Sequence, residues 1–247
     1  MQRLFTASVL GLVFAVLAAP ASAQTVYFSD GFEEADGHIA GNDIIGTNGW
    51  YQGYLGGDIS TAQQVSAGAP GLNGQVGDAK VVSGREGSYT QLKNDAGISG
   101  GLKAGTEYIF SWKQLVNSGG IPTQGGMNFM GGRAGMDVRH TGVINVADMP
   151  DTDTQYPLPG GAAEHVVDFA IIVNESTTTF MADGNVLQVS ATTSSGFNGI
   201  NSIGWGCGVD SGRACSIIDD VRVAETPEPA SLSLLALGGL AMLRRRR

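Results

Sequence analysis

Three carboxylates, an aromatic cluster and a cysteine pair are the parts of this 247-residue chain whose types and spacing can do chemistry. Asp30 and Glu33 belong to the segment Asp30-Gly31-Phe32-Glu33, and Asp219 to Ile217-Ile218-Asp219-Asp220-Val221-Arg222-Val223 near the other end. Strand periodicity predicts Ile217, Asp219, Val221 and Val223 on one face, with Ile218, Asp220 and Arg222 on the other. A carboxylate on an apolar face is costly unless it meets donors or a cation. If the first and last strands lie side by side, oxygens from Asp30, Glu33 and Asp219, completed by backbone carbonyls, would suit a structural Ca²⁺. The alternative is that Asp219 accepts backbone hydrogen bonds at a strand end. A second acidic group, Asp148, Asp151 and Asp153, surrounds Pro150 and reads as a solvated turn.

The aromatic cluster is Trp50, Tyr51 and Tyr54, set among Gly49, Gly53, Gly56 and Gly57 with Asp58 and Gln52 close by. Aromatic faces that stack on sugar rings, beside amides and carboxylates for the hydroxyls, make a glycan platform. The competing reading puts Trp50 in the core with the tyrosines capping it. Cys207 and Cys215 are the only cysteines. In an oxidising compartment they are expected to pair, closing a short loop for about 2 to 3 kcal/mol. His38, His140 and His165 are far apart in sequence and read as surface or strand histidines. No serine stands in a Gly-x-Ser-x-Gly elbow. Glu33 and Glu34 are adjacent, so on a strand they would point to opposite faces and make a poor catalytic pair. The reading is therefore that the chain is not an enzyme, the alternative being a secreted polysaccharide-active enzyme with an unrecognised site.

These groups need a scaffold, and the pattern around them is that of strands. Tyr108, Phe110 and Trp112 alternate with Ile109, Ser111 and Lys113, and Val167, Phe169, Ile171 and Val173 repeat the pattern. Asp183-Gly184-Asn185, between Thr178–Ala182 and Val186–Val189, predicts a tight hairpin turn. Glycine is abundant, at 38 residues, and no amphipathic helix is evident. The expected fold is an all-β antiparallel sandwich over 24–225, with one core.

The two ends of the chain are addresses. Arg3, the apolar run Leu4 to Ala19 and Ala21-Ser22-Ala23 have the form of a signal peptide, residues 1–23, leaving Gln24 as the mature start. At the other end, over 226–247, stand Pro227-Glu228-Pro229, an apolar run from Ala230 to Leu243 and Arg244 to Arg247. As a helix this run would rise roughly 21 Å, short of a hydrocarbon core of about 30 Å. The arginines favour the cytoplasmic side and put everything upstream outside. The two prolines keep Glu228 on an extended peptide, in the form a protease can grip. Losing both ends removes five of the 14 positive charges, and if cleavage spares Glu228 it leaves nine against 23 acidic residues, a net charge of −14. Such a chain is a poor partner for nucleic acid or anionic membrane.

Two resemblances follow from these residues. The Pro-Glu-Pro motif, short apolar segment and arginine end resemble the PEP-CTERM sorting signal. The resemblance implies processing by a membrane-embedded exosortase, transient residence in the inner membrane, and delivery to the cell surface or extracellular matrix. The opening Asp-Gly-Phe-Glu and Asn48-Gly49-Trp50, paired with the closing Ile218-Asp219-Asp220-Val221, look like the concanavalin A-like lectin/glucanase jelly roll. That likeness implies a jelly-roll sandwich, and with the aromatic cluster the expected role is a non-catalytic surface or matrix protein that binds glycan weakly in an exopolysaccharide layer. The Glu-x-Asp-x-x-Glu strand of the glucanases is absent here, as are alginate-lyase signatures.

Overall fold

The computed structural model describes residues 24–56, 63–79, 88–95, 102–117, 123–129, 134–139, 141–148, 152–161, 163–192, 203–209 and 214–226. Of these, 52–56, 63–64, 79, 88–93, 123–124, 148, 152–153, 206–209 and 214–215 are described by backbone alone. The chain divides into a unit Val26–Glu225 and a second unit of Met1–Thr25 with Thr226–Arg247. The signal peptide, the Pro227-Glu228-Pro229 motif and the apolar tail lie outside the described residues. Among the described residues no helix is long and apolar enough to cross a membrane.

Two eight-stranded sheets make the first unit. Sheet A runs Asn185–Ala191 (β13), Thr177–Ala182 (β12), His165–Val173 (β11), Tyr108–Val116 (β6), Ile217–Glu225 (β16), Val76–Ala79 (β4) and Gln63–Ser66 (β3). Val26–Asp30 (β1) also pairs with β16. Sheet B runs Thr152–Pro157 (β10), Val143–Asp148 (β9), Ala134–Arg139 (β8), Thr123–Phe129 (β7), Ile203–Val209 (β14), Ser88–Asn94 (β5) and Tyr51–Gly56 (β2). Ala214–Cys215 (β15) lies parallel to β7, and the other pairings are antiparallel. The only helical element among the described residues is one 3-10 turn, Glu34–Asp36. The all-β antiparallel architecture expected from the alternating pattern is what forms.

The core lies between the sheets and is built by that alternation. Tyr108, Phe110 and Trp112 of β6 and Val167, Phe169, Ile171 and Val173 of β11 all point into it. Trp112 stacks on Phe169 at 5.1 Å between centroids and on Phe110 at 5.0 Å. Phe129, Met127, Met136, Val146 and Trp205 face them from sheet B. Gln114 occupies the next inward position of β6, and its Nε2 donates across the core to the Gly125 carbonyl of β7 at 3.0 Å. That carbonyl turns inward because Gly125 adopts φ +135°, which a side chain would resist. Asp183 and Gly184, with φ of 48° and 73°, form the expected two-residue hairpin between β12 and β13.

The closing strand departs from its period-two expectation. The pairing of β16 with β6 slips between Asp219 and Arg222, and Asp220 sits there at φ 49°. This β-bulge puts Ile218, and not Ile217, on the core side with Val221 and Val223. Asp219 thus lies opposite Lys113 of β6, whose ammonium bonds Asp220 Oδ2 at 2.6 Å. The bulge also falls where the far neighbour of β16 changes from β4 to β1.

Candidate functional site

The carboxylates singled out by the sequence do not form one group. Asp30 is fully buried, and donors fill both its oxygens. The backbone N–H of Phe32 donates to Oδ1 at 2.8 Å. Trp50 Nε1 at 2.7 Å and His38 Nε2 at 3.0 Å share Oδ2. A carboxylate accepts only, so the ring proton of His38 is assigned to Nε2. Its Nδ1 is then a buried lone pair with no donor. His38 is therefore a core residue, 1 % exposed and packed on Phe32 at 5.4 Å, and not the surface histidine expected.

Glu33 turns elsewhere and accepts the Gln75 N–H at 3.0 Å. Asp219 is 3 % exposed and accepts the Asp220 N–H at 2.7 Å. Burial pushes its carboxyl up to about 6, the Asp220 N–H working against that shift. Asp30 does not fit a Ca²⁺ ligand, because a cation would have to displace three donors from it. Among the described residues no three His, Cys, Asp or Glu side chains are grouped to hold a metal. Asp219 accepts one backbone donor, at a bulge within β16 and not at the strand end expected.

The aromatic cluster also separates. Trp50 is 1 % exposed, with Phe28 at 5.9 Å and Phe32 at 6.4 Å, so its indole is core and offers no stacking face. Tyr51, the next residue, points to the opposite face of sheet B and is 40 % exposed. Its hydroxyl donates to Asp95 Oδ1 at 2.8 Å. Burial and then this bond hold that hydroxyl above the usual tyrosine value. The Tyr54 side chain and Asp58 lie outside the described residues, as do the side chains of Cys207 and Cys215. The backbones of both cysteines are in strands adjacent to β7. Trp205 is buried beside β15, its Nε1 donating to Ser216 Oγ at 2.7 Å.

The outward face of sheet B, on which Tyr51 stands, has a composition that the sequence reading did not single out. One register row joins Tyr51 through Lys93 to Gly204, Asn128, Gly135 and Ala147. The next row joins Gly206, Gly126, Asp137, Asn145 and Gln155. Strands β14, β7 and β8 therefore place Gly204, Gly206, Gly126 and Gly135 at the centre, where a side chain would stand in most sheets, and Gly204, Gly126 and Gly135 are buried there. Glycine inside a strand forfeits packing and is found where another backbone or a ligand comes close. At Gly126 neighbouring backbone is part of the reason, since a Cβ there would lie 2.1 Å from the Met136 carbonyl oxygen.

Polar side chains border this glycine floor. Arg139 and Asp137 form an ion pair, Nε lying 2.7 Å from Oδ2, with both side chains partly exposed. Asn145 lies in the Asp137 row and is 2 % exposed. From β2 to β9 the face spans five strand spacings, about 24 Å. The alternating Gly204-Trp205-Gly206-Cys207-Gly208 was the sequence signal for it, since period two puts the glycines on one face and Trp205 on the other.

Residues 225–247 match the PEP-CTERM protein-sorting motif. No curated protein matches the chain in sequence. Among solved structures, it is similar to the conserved carbohydrate esterase vb_24B_21 from Shiga toxin-encoding bacteriophage phi24B, with a TM-score of 0.51 and 14 % identity over 83 % of this chain and all of the other. Domain 4 of AbnA, a GH43 extracellular arabinanase from Geobacillus stearothermophilus in complex with arabinotriose, aligns at TM-score 0.47 and 14 % identity over 85 % of this chain and 98 % of that one. The VIP36 exoplasmic/lumenal domain in its Ca²⁺/Man3GlcNAc-bound form aligns at 0.41 and 10 % identity over 71 % and 85 %. At such identities the likeness concerns fold alone. The chain thus carries a PEP-CTERM sorting motif, which marks it for export and exosortase-dependent delivery to the surface or beyond, behind an all-β unit consistent with the concanavalin A-like fold.

Proposed function

We propose that this protein is a non-catalytic glycan-binding component of the cell surface or extracellular matrix, released there by exosortase processing, and that the outward face of sheet B takes the glycan. The observation that carries this reading is the glycine floor of β14, β7 and β8 bordered by Asn128, Asp137 and Asn145, with Tyr51 in the same register row. The half-buried Asn128 and Asp137 and the exposed Gln155 offer polar groups to sugar hydroxyls around the buried glycine rows, and Tyr51, 40 % exposed, supplies a stacking edge. A span of about 24 Å suits a chain of sugars better than a single ring. Support for a binding role over a hydrolytic one comes from the carboxylates. Retaining glycosidases hold two about 5 to 5.5 Å apart, whereas Asp137 is the one carboxylate among the described strand side chains of this face and is paired with Arg139.

The test is a glycan array probed with the exported, processed protein, including polysaccharide from the producing cells. Saturable binding is expected, weakened by Tyr51→Ala and by Asn128→Ala, and unchanged in EDTA. A folded protein that binds no glycan on the array would end the reading. Release of shortened sugars from a bound polymer would replace it with the enzymatic one.

A further inference from the structure

The seven residues of β13 form an outer edge of sheet A, and among the described residues no strand pairs with their far side. Such an edge presents a row of backbone N–H and C=O groups that can take another strand. Proteins commonly blunt it with charge, proline or brevity. At the same end of sheet order in sheet B, β10 carries Asp153 and Pro157, and the opposite edge strand of sheet A, β3, has four residues. β13 has none of these three protections. Its sequence, Asn-Val-Leu-Gln-Val-Ser-Ala, holds no charge, and no charged residue occurs from Gly184 to Val209.

Instead β13 exposes two valines. Val186 is 57 % exposed and Val189 59 %. They are three apart, and a regular strand would send them to opposite faces. The register against β12 slips between Phe180 and Met181, so Val186 stands opposite Met181 and Val189 opposite Thr179. Both valines therefore lie on the outward face of sheet A, while Phe180 points into the core. Their register rows continue across that face through Met181 and Ala170, and through Thr179, Ile172 and Ile109, all half-buried. The outward side of an antiparallel sheet is commonly polar, and here the part next to β13 is mainly apolar.

We infer that β13 is the dimerisation edge of this protein and that the strand it pairs with is β13 of a second copy. An open edge calls for a strand, and charge selects which one. Two copies of an acidic chain can approach closely only where each is uncharged, and β13 meets that condition. A two-fold axis normal to the sheet, passing between Leu187 and Gln188, makes the pair antiparallel and sets Val186 of each copy opposite Val189 of the other. Sheet A then runs unbroken through both copies. The contact is small beside the roughly 20 to 30 residues a side of a stable interface, so the dissociation constant falls in about the micromolar range.

Sedimentation equilibrium of the exported, processed protein tests this without any glycan. A monomer–dimer equilibrium is expected, with no larger species, because a self-complementary edge is used up at two. Val189→Lys should weaken the dimer by about tenfold or more, the loss of roughly one buried valine a side, and Val186→Lys should act alike. Each lysine also lowers the net negative charge, so general repulsion alone predicts the opposite sign. Ile39→Lys, at a residue 60 % exposed outside the sheets, should leave the dimer unchanged. Amide exchange over 185–191 should slow as concentration rises through the transition. Melting temperatures check that each variant folds. A protein still monomeric at about 1 mM, larger oligomers, a dimer that survives both β13 substitutions or is equally lost in Ile39→Lys, or unchanged exchange in β13 overturns the inference.

Discussion

At the scale of single residues, the energetics concentrate in two buried carboxylates that behave in opposite ways. Asp30 is satisfied by Phe32 N–H, His38 and Trp50, and thereby ties the end of β1 to the residues leading into β2. Asp30→Ala would strand all three donors in the core, at about 3 kcal/mol or more. Urea denaturation should show the midpoint falling with the slope unchanged. Asp219 has one backbone donor, and burial pushes its carboxyl up to about 6 from an ordinary 3.8. The folded state therefore holds this proton more tightly than the unfolded state does. The associated stability is full below about 4 and is lost as pH rises through 6. Asp219→Asn should melt higher than the parent at pH 7.5 and show no such advantage at pH 4. A difference between the two melting profiles that is flat from pH 4 to 7 would show that Asp219 titrates normally.

At the scale of elements, the glycines of sheet B divide into those the fold requires and those it tolerates. A Cβ on Gly126 would meet the Met136 carbonyl oxygen at 2.1 Å and Asp137 Cα at 2.6 Å, so β7 and β8 would have to part. Gly126→Ala should cost about 1 to 3 kcal/mol as an overpacking change and abolish glycan binding with it. At Gly135 the nearest atom is Asn128 Cβ at 3.0 Å, the next a backbone oxygen at 3.4 Å. Gly135→Ala should lower the melting temperature by less than Gly126→Ala does, because its closest contact is 3.0 Å and its closest backbone contact 3.4 Å. The strands themselves were legible in the sequence. Tyr108, Phe110 and Trp112 alternate into the core as period two requires, and the Asp183-Gly184 turn carries its own backbone chemistry. Two things were not legible. The bulge at Asp219 and Asp220 inserts one residue into the period, and no residue type in Ile-Asp-Asp-Val announces it. The Gly204-Trp205-Gly206 alternation was visible, but its meaning depended on β7 and β8 lying next to β14, a long-range pairing. Trp50 and Tyr51 show the same limit, since adjacency in sequence put them on opposite sides of one sheet.

At the scale of the whole molecule, charge opposes self-association and the open edge of sheet A favours it, which gives the dimer a measurable signature. With residues 1–23 and 226–247 removed the chain carries nine basic and 22 acidic residues, a net charge of −13. Two copies therefore repel at long range, and the uncharged β13 attracts only at contact. Salt acts unequally on the two effects. The Debye length falls from about 30 Å at 0.01 M to about 8 Å at 0.15 M. Repulsion summed over molecules of this size is screened, whereas strand pairing and valine contact involve no charge to screen. The dimer should accordingly tighten as ionic strength goes from 0.01 to 0.15 M, read as a falling dissociation constant in sedimentation equilibrium. A dimer held by ion pairs would show the reverse. The two-fold axis also orients the glycan faces. An axis normal to sheet A leaves sheet B of both copies on one side, so one long polymer can meet two faces at once. Where the dimer is populated, affinity for a surface-bound polysaccharide should exceed that for a short oligosaccharide of the same sugar by about a hundredfold. Val189→Lys should remove that excess and leave oligosaccharide binding unchanged. An excess that survives the substitution would mean that the second contact lies within the face of one copy, and not across the dimer.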